Sequence, residues 1–145
     1  MEKLTKWVVV SLRVGLGVLF IYAGIQKFIS KERPPVDPTA EVPEHVIKIR
    51  SLIGGMKQTG YFWEMVGVAE IACGILLVSQ VFGLLGAVML VPITLNVFLF
   101  HLFLEPHDKG ELLMTSLYLI LNFLLIFYDY PKLKTAFLPG KLSKI

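Results

Sequence analysis

Cysteine is almost absent from this sequence of 145 residues, which contains only Cys73. A single thiol excludes an internal disulfide and a Cys-X-X-Cys redox pair. The chain therefore cannot be a thiol oxidoreductase that works through a dithiol of its own. Because Cys73 lies inside an apolar segment, we interpret it as a small interior residue.

Charged residues are also scarce, at 17% of the chain, and the fourteen basic residues form no single run. This distribution does not indicate nucleic-acid binding. Several basic residues instead flank apolar segments, where they would meet lipid headgroups. The sequence has neither a metal-ligand spacing nor a glycine-rich phosphate loop. Only one of its three histidines lies in an apolar segment, which disfavours a haem with two histidine ligands. We expect no metal and no covalently bound cofactor.

Hydrophobic residues are in excess: they make up 55% of the chain, and its mean hydropathy is +0.70. A membrane-spanning helix needs about 20 predominantly apolar residues. Four segments meet that requirement, at about residues 7–29, 62–80, 82–104 and 112–130. Because only SQVFG separates the second from the third, these two form an antiparallel hairpin. We therefore predict a single transmembrane domain over residues 1–145, an all-α integral membrane four-helix bundle with antiparallel up-down spans.

Four spans place both termini on one side of the membrane. The N-terminus begins like a signal peptide, but Arg13 interrupts its apolar run and no small-x-small cleavage site follows. We interpret it as an uncleaved first membrane helix. The side that carries the termini is the more densely basic one, so the positive-inside rule places both termini in the cytoplasm.

Residues 30–61 form the longest segment between predicted spans. The first part, KERPPVDPTAEVPEH, is rich in proline and cannot continue a helix. The second part, EHVIKIRSLIGGMKQTGY, has apolar residues at roughly helical spacing, opposed by Lys48, Arg50 and Lys57. This pattern predicts a short amphipathic helix that lies on the membrane surface. A flexible loop is the alternative.

Glu70 lies about midway along the second span, with Gly67 and Gly74 at i−3 and i+4. Glycines at these positions allow another helix to approach the carboxylate closely. A carboxylate at this depth must be protonated, face water or meet a cation. Arg13 in the first span is the cation within reach. We predict an Arg13–Glu70 pair, which either holds the helices together or contributes to a site.

The stretch PITLNVFLFH, residues 92–101, carries polar groups inside the third span. Pro92 frees the carbonyl of residue 88 and predicts a kink. Asn96 lies one turn further on the same face and can form a hydrogen bond with another helix. We predict that the kink turns Asn96 into the bundle, near Glu70 and Asn122 of the fourth span.

A second polar layer is predicted near the surface that carries residues 30–61. Lys27 and Glu64 lie at similar depth there and form the second predicted ion pair. His101 is expected beside them at the end of the third span. Polar residues of separate spans share a depth because each alone would cost free energy in lipid.

Three segments, RVGLGVLFIYAGIQKF, TGYFWEMVGVAEIACGILLV and VPITLNVFLFHLFLEP, resemble the DoxX family of small four-span membrane proteins. The resemblance runs from about residue 11 to residue 139 and is weakest between the first two spans. The matching residues are Ala23-Gly24 with Gln26-Lys27 in the first span, Glu70 and Gly74 in the second, and Pro92, Asn96 and Phe100-His101 in the third.

The resemblance implies a subunit or adaptor of a quinone-linked redox or stress-defence complex in a bacterial cytoplasmic membrane. Its expected partners are the lipid bilayer and either a partner protein or further copies of the chain. A quinone, bound noncovalently, needs an apolar slot and a few hydrogen-bond donors near the headgroup level. The candidate ligand-binding residues are Glu64, Glu70, Asn96, His101 and Tyr61, with Glu70 as a proton relay.

Two other functions remain open at the level of sequence. A non-catalytic scaffold would hold a partner protein through residues 30–61. A binder of lipid-like small molecules would need the pocket but no redox partner. No pair of nucleophile and base is recognisable, so the sequence does not decide whether the chain is an enzyme.

Overall fold

The computed structural model describes residues 2–29 and 42–137, and within these ranges the chain is helical without strands. The fold is an all-α membrane helical bundle. Residues 30–41, which hold most of the proline-rich first part of the segment after the first span, lie outside the described residues. The helices are α1 (Glu2–Gln26), α2 (Glu44–Gln58), α3 (Phe62–Val78), α4 (Gly83–Leu104), α5 (Lys109–Tyr128) and α6 (Tyr130–Phe137).

The predicted spans correspond to α1, α3, α4 and α5. Helices α1, α4 and α5 are each long and apolar enough to cross a membrane. Helix α3 has 17 residues and meets α2 at a bend of 90°, and the two together pass as one broken span. The described residues thus contain three helices that can each cross a membrane. The number of spans is four if α2 and α3 together form one span.

Helix α2 turns away from α3 at the residues between them. Gly60 there has a φ of +76°, a left-handed conformation that glycine adopts at little cost. The hydroxyl of Thr59 accepts a hydrogen bond from the backbone N–H of Phe62 at 3.0 Å, which holds the start of α3. No residue of α2 is buried. A helix therefore occupies the segment for which a surface helix was predicted, and its position on the membrane surface stays a prediction.

Helices α1 and α3 make the closest contact in the bundle, through two pairs of facing glycines. Gly17 faces Gly74, and a Cβ on Gly74 would lie 2.5 Å from the carbonyl oxygen of Gly17. One heptad further, a Cβ on Gly24 would lie 2.5 Å from the carbonyl oxygen of Gly67. The two backbones therefore touch, as small residues permit in membrane helices. The close approach predicted beside Glu70 is confirmed.

A buried amide joins α5 to α4. Asn122 is fully buried, and in the orientation that satisfies both of its polar atoms its nitrogen donates to the carbonyl of Ala87 at 3.1 Å. Its oxygen accepts from the Val91 N–H and from the Thr94 hydroxyl, both at 3.2 Å. The contacts with Ala87 and Val91 lie on the turn of α4 that precedes Pro92, and Thr94 follows the proline. Asn122 therefore satisfies its own polar groups within the apolar interior.

Asn96 does not take part in this contact, so the prediction that it turns towards Asn122 is wrong. Helix α4 runs continuously through Pro92 from Gly83 to Leu104, and Asn96 is exposed, while Thr94 is only 1% exposed. Two residues along a helix are about 200° apart around its axis. Once Thr94 faces α5, Asn96 must face elsewhere.

Arg13 connects three parts of the bundle at the end that carries the termini. Its Nη2 donates to the carboxylate of Asp129, directly after α5, and both side chains are buried. Its Nη1 donates to the side-chain oxygen of Gln80, between α3 and α4, at 3.3 Å. A Cβ on Gly83 would lie 2.9 Å from the guanidinium carbon, so the glycine leaves room for the arginine. Lys132 of α6 lies 2.9 Å from the second oxygen of Asp129.

The predicted Arg13–Glu70 pair is therefore wrong. Long basic side chains extend towards the nearer membrane surface, where polar partners are available. Arg13 extends in that direction to Asp129 rather than deeper into the bundle. The second predicted pair, between Lys27 and Glu64, is also wrong, because Lys27 pairs with Glu70 instead.

Candidate functional site

A cavity of about 480 Å³ lies at the other end of the bundle, where α1 ends and α2 begins to cover α3 and α4. Apolar and aromatic side chains form most of its wall. Helix α2 contributes Leu52, Ile53 and Met56. Helix α3 contributes Phe62, Trp63 and Val66. Helix α4 contributes Pro92, Ile93, Val97 and Phe100. The four polar members of the wall are Lys27, Glu70, Asn96 and His101.

An ion pair between Lys27 and Glu70 forms the polar part of the wall next to α1. Nζ of Lys27 donates to Oε2 of Glu70 at 2.6 Å, and the carboxylate side chain is 3% exposed. The close contact of α1 with α3 brings the two together, since a Cβ on Gly67 would lie 3.2 Å from Cβ of Lys27. The lysine stem thus passes Gly67 and reaches the carboxylate one turn further along α3.

Glu64 takes no part in this arrangement, so the predicted Lys27–Glu64 pair is wrong. Glu64 is exposed, and within the described residues it forms no ion pair. Positions 64 and 70 are about 120° apart around a helix. Lys27 therefore reaches the buried Glu70, and the Glu64 side chain lies exposed on another side of α3.

Trp63 connects the ion pair to α2. Nζ of Lys27 lies 5.3 Å from the centroid of the Trp63 ring, and Nζ of Lys57 on α2 lies 5.4 Å from it. Both distances are within the range in which a cation is attracted to an aromatic face. One indole therefore contacts the cation of the buried pair and a cation of the covering helix.

Asn96 and His101 form the polar part of the wall on α4. Nδ1 of His101 lies 2.9 Å from Oε2 of Glu105, within ion-pair distance when the imidazole is protonated. The orientation of the two groups does not make a hydrogen bond, and Nδ1 is buried without a hydrogen-bond partner in the described chain. The His101 ring also packs edge to face on Phe100, with centroids 5.3 Å apart. The imidazole of His101 thus lies against Phe100 and Glu105 where it lines the cavity.

Three of the five candidate ligand-binding residues line this one cavity: Glu70, Asn96 and His101. Glu64 and Tyr61 do not line it, and Tyr61 is 62% exposed. Reasoning from the sequence missed Trp63 and the apolar side chains of α2. Trp63 lies next to Glu64 at the start of the second span. Aromatic residues are common at that position in membrane helices, so the sequence did not mark Trp63 as a ligand-binding residue.

One protein-family model covers the part of the chain that forms the cavity. The family model of DoxX matches residues 8–102. The chain belongs to the DoxX family. The matched range of this DoxX protein includes every residue that lines the cavity. No curated protein and no solved structure matches the chain.

Proposed function

We propose that this DoxX family protein binds a lipid-soluble quinone noncovalently in the cavity between α2, α3 and α4. In this proposal it acts as a subunit or adaptor of a quinone-linked redox or stress-defence complex. The complex lies in the cytoplasmic membrane of a bacterium, with both termini of the chain in the cytoplasm. The partner is another protein of that complex or further copies of the chain.

The observation that carries the proposal is a buried ion pair on the wall of an otherwise apolar cavity. Glu70, within α3, is 3% exposed, and Lys27, directly after α1, is 16% exposed. Charged groups at such depth are costly and mark ligand or ion sites in membrane proteins. The cavity volume of about 480 Å³ lies within the range of roughly 300–1,000 Å³ that holds small organic ligands. An apolar space with few polar groups suits a ring with an isoprenoid tail.

The chemistry of the wall suits a quinone head. Quinone carbonyl oxygens accept hydrogen bonds, and the wall offers donors in Lys27, Asn96 and His101. Trp63 and Phe100 provide aromatic surface for a planar ring. Because the chain has a single cysteine, it has no dithiol of its own to supply electrons. The electrons for quinone reduction therefore come from the partner.

His101→Ala is expected to lower the amount of quinone that remains with the protein. Losing one hydrogen bond to the head corresponds to a roughly threefold to tenfold loss of affinity. The protein is purified gently from native membranes, and its quinone content is measured by extraction and mass spectrometry. Glu64→Gln is the control, because Glu64 lies at the same end of the bundle but not on the cavity.

Equal quinone content in both variants, at equal thermal stability, would contradict the proposal. A wild-type protein without any quinone would contradict it too. A stoichiometric protein partner in such a preparation would then favour the scaffold function, and a bound lipid would favour a carrier of lipid-like molecules.

A further inference from the structure

The carboxylate of Glu70 has an unused hydrogen-bond acceptor. Oε2 accepts from Lys27, and Oε1 accepts no hydrogen bond from the described residues. Glu70 lines the cavity, although the residue as a whole is 2% exposed. An ionised carboxylate has room for about four donors. Among the described residues, Oε1 is not one of the fully buried atoms that lack a partner, so it remains accessible to a donor. The cavity is the direction from which a donor can reach Oε1.

Lys27 gives this acceptor a neighbouring donor. An ammonium group has three N–H bonds. One is directed to Glu70, and the group also lies 5.3 Å from the Trp63 ring centroid. The ion pair therefore offers a ligand an acceptor and a donor side by side, next to an aromatic face.

Resting on the quinone binding proposed above, we infer that the cavity binds the reduced form, an aromatic diol, more tightly than the oxidised diketone. A quinol hydroxyl donates to Oε1 of Glu70 and can accept from Lys27. A quinone has only hydrogen-bond acceptors. Its carbonyl oxygen cannot donate to Oε1 of Glu70, and the two oxygens, both acceptors, would face each other. Glu70 is thus a residue that determines specificity for the redox state of the ligand.

Tighter binding of the quinol than of the quinone also changes the reduction potential of the bound ligand. Tighter binding of the reduced form raises the two-electron potential of the bound couple by about 30 mV for each tenfold difference in affinity. A bound quinone then takes up electrons more readily than one free in the bilayer. The site therefore favours reduction of the bound quinone, which takes two electrons from the partner and two protons from the solvent, over oxidation of the quinol.

The test compares three probes on the full-length protein in lipid nanodiscs under anaerobic conditions. The probes are a short-chain benzoquinone, its hydroquinone, and the dimethyl ether of that hydroquinone, which keeps the ring but has no O–H. A hydrogen bond to a charged acceptor corresponds to roughly tenfold or more in affinity. The hydroquinone is therefore expected to bind at least about tenfold more tightly than the other two probes.

Glu70→Gln provides the second arm of the test. The amide keeps the size of the side chain and its oxygen can still accept from Lys27, but its nitrogen is a donor. The variant is expected to lose the preference for hydroquinone and to bind the benzoquinone at least as well as the wild type. A melting curve on each preparation checks that the variant is folded. Because the ether comparison uses the wild type alone, the inference is tested even where the variant does not fold.

The outcomes separate this inference from the function on which it rests. Equal affinity of the wild type for quinone and hydroquinone would overturn the inference and leave quinone binding in place. Binding of none of the three probes would overturn the proposed function and the inference with it. Hydroquinone binding that is unchanged in a folded Glu70→Gln variant would show that another group makes the distinction.

Discussion

Gly74→Ala is expected to push α1 away from α3 and to lower the melting temperature of the purified protein. A Cβ at this position would lie 2.5 Å from the backbone oxygen of Gly17 and 2.7 Å from Cγ1 of Ile21. Backbone atoms cannot move aside as a flexible side chain can. Overpacking of this kind costs about 1–3 kcal/mol. Alanine regains about 1 kcal/mol of helix propensity over glycine, which offsets part of this loss. Gly74→Leu is expected to prevent assembly of the bundle.

Gly15→Ala is the control for this prediction, because a Cβ there meets nothing within 4 Å. The control is expected to keep or slightly raise the melting temperature. Thermal unfolding of both variants in one detergent, followed by circular dichroism, provides the comparison. If Gly74→Ala melts at the same temperature as Gly15→Ala, the direct contact between α1 and α3 is refuted.

Arg13→Leu is expected to destabilise the bundle by about 3–5 kcal/mol, because it leaves the buried carboxylate of Asp129 without its guanidinium partner. The side chain of Asp129 is 3% exposed, so water cannot replace the arginine. Lys132, at 73% exposure, holds only the outer oxygen of the carboxylate. The loss is measured by thermal unfolding in detergent.

A double variant distinguishes a lost ion pair from lost packing. Arg13→Leu combined with Asp129→Leu removes both charges, and buried pairs replaced by apolar residues are often tolerated. The double variant is therefore expected to be more stable than either single variant. Lys48→Ala breaks an exposed pair with Glu44 and should leave the melting temperature unchanged. Additive losses in the double variant would show that the two side chains act independently.

Much of the bundle follows from the sequence alone. The apolar segments and the short connection between the second and third spans predict the helices and their antiparallel order. The spacing of Gly67 and Gly74 around Glu70 predicts where another helix approaches, because only glycine leaves the backbone accessible over consecutive turns. Glu70, Asn96 and His101 were selected by depth and polarity, and the structure brings all three to one cavity.

The ion pairs could not be predicted from depth, since depth ignores direction around the helix axis. Lys27 and Glu64 lie at one level, but Glu64 is about 120° away from Glu70 around the helix axis. Arg13 pairs with Asp129 at the end of the bundle that carries the termini. This pair was not predicted from the sequence, because Asp129 lies at the end of the last span.

Two other features depend on packing that the sequence does not specify. The Thr94 hydroxyl lies 3.2 and 3.1 Å from the carbonyl oxygens of Leu90 and Val91, so its one proton has acceptors within α4 as well as on Asn122. The sequence does not indicate whether Thr94 or Asn96 is the residue of α4 that contacts Asn122. The side of α2 that covers the cavity was also undetermined, because a helix predicted for a membrane surface has no fixed neighbour.

Photolabelling is the most direct test of quinone binding in the cavity. An azido-benzoquinone is added to the full-length protein in lipid nanodiscs, and the labelled peptides are mapped by mass spectrometry. The account predicts label in α2 around Leu52–Met56 and in α4 around Ile93–Phe100, and loss of that label when excess unlabelled hydroquinone is present. Helix α5 contributes no residue to the cavity and serves as the internal control. Label spread over α5 as densely as over α2 and α4, with no competition by hydroquinone, would contradict the account.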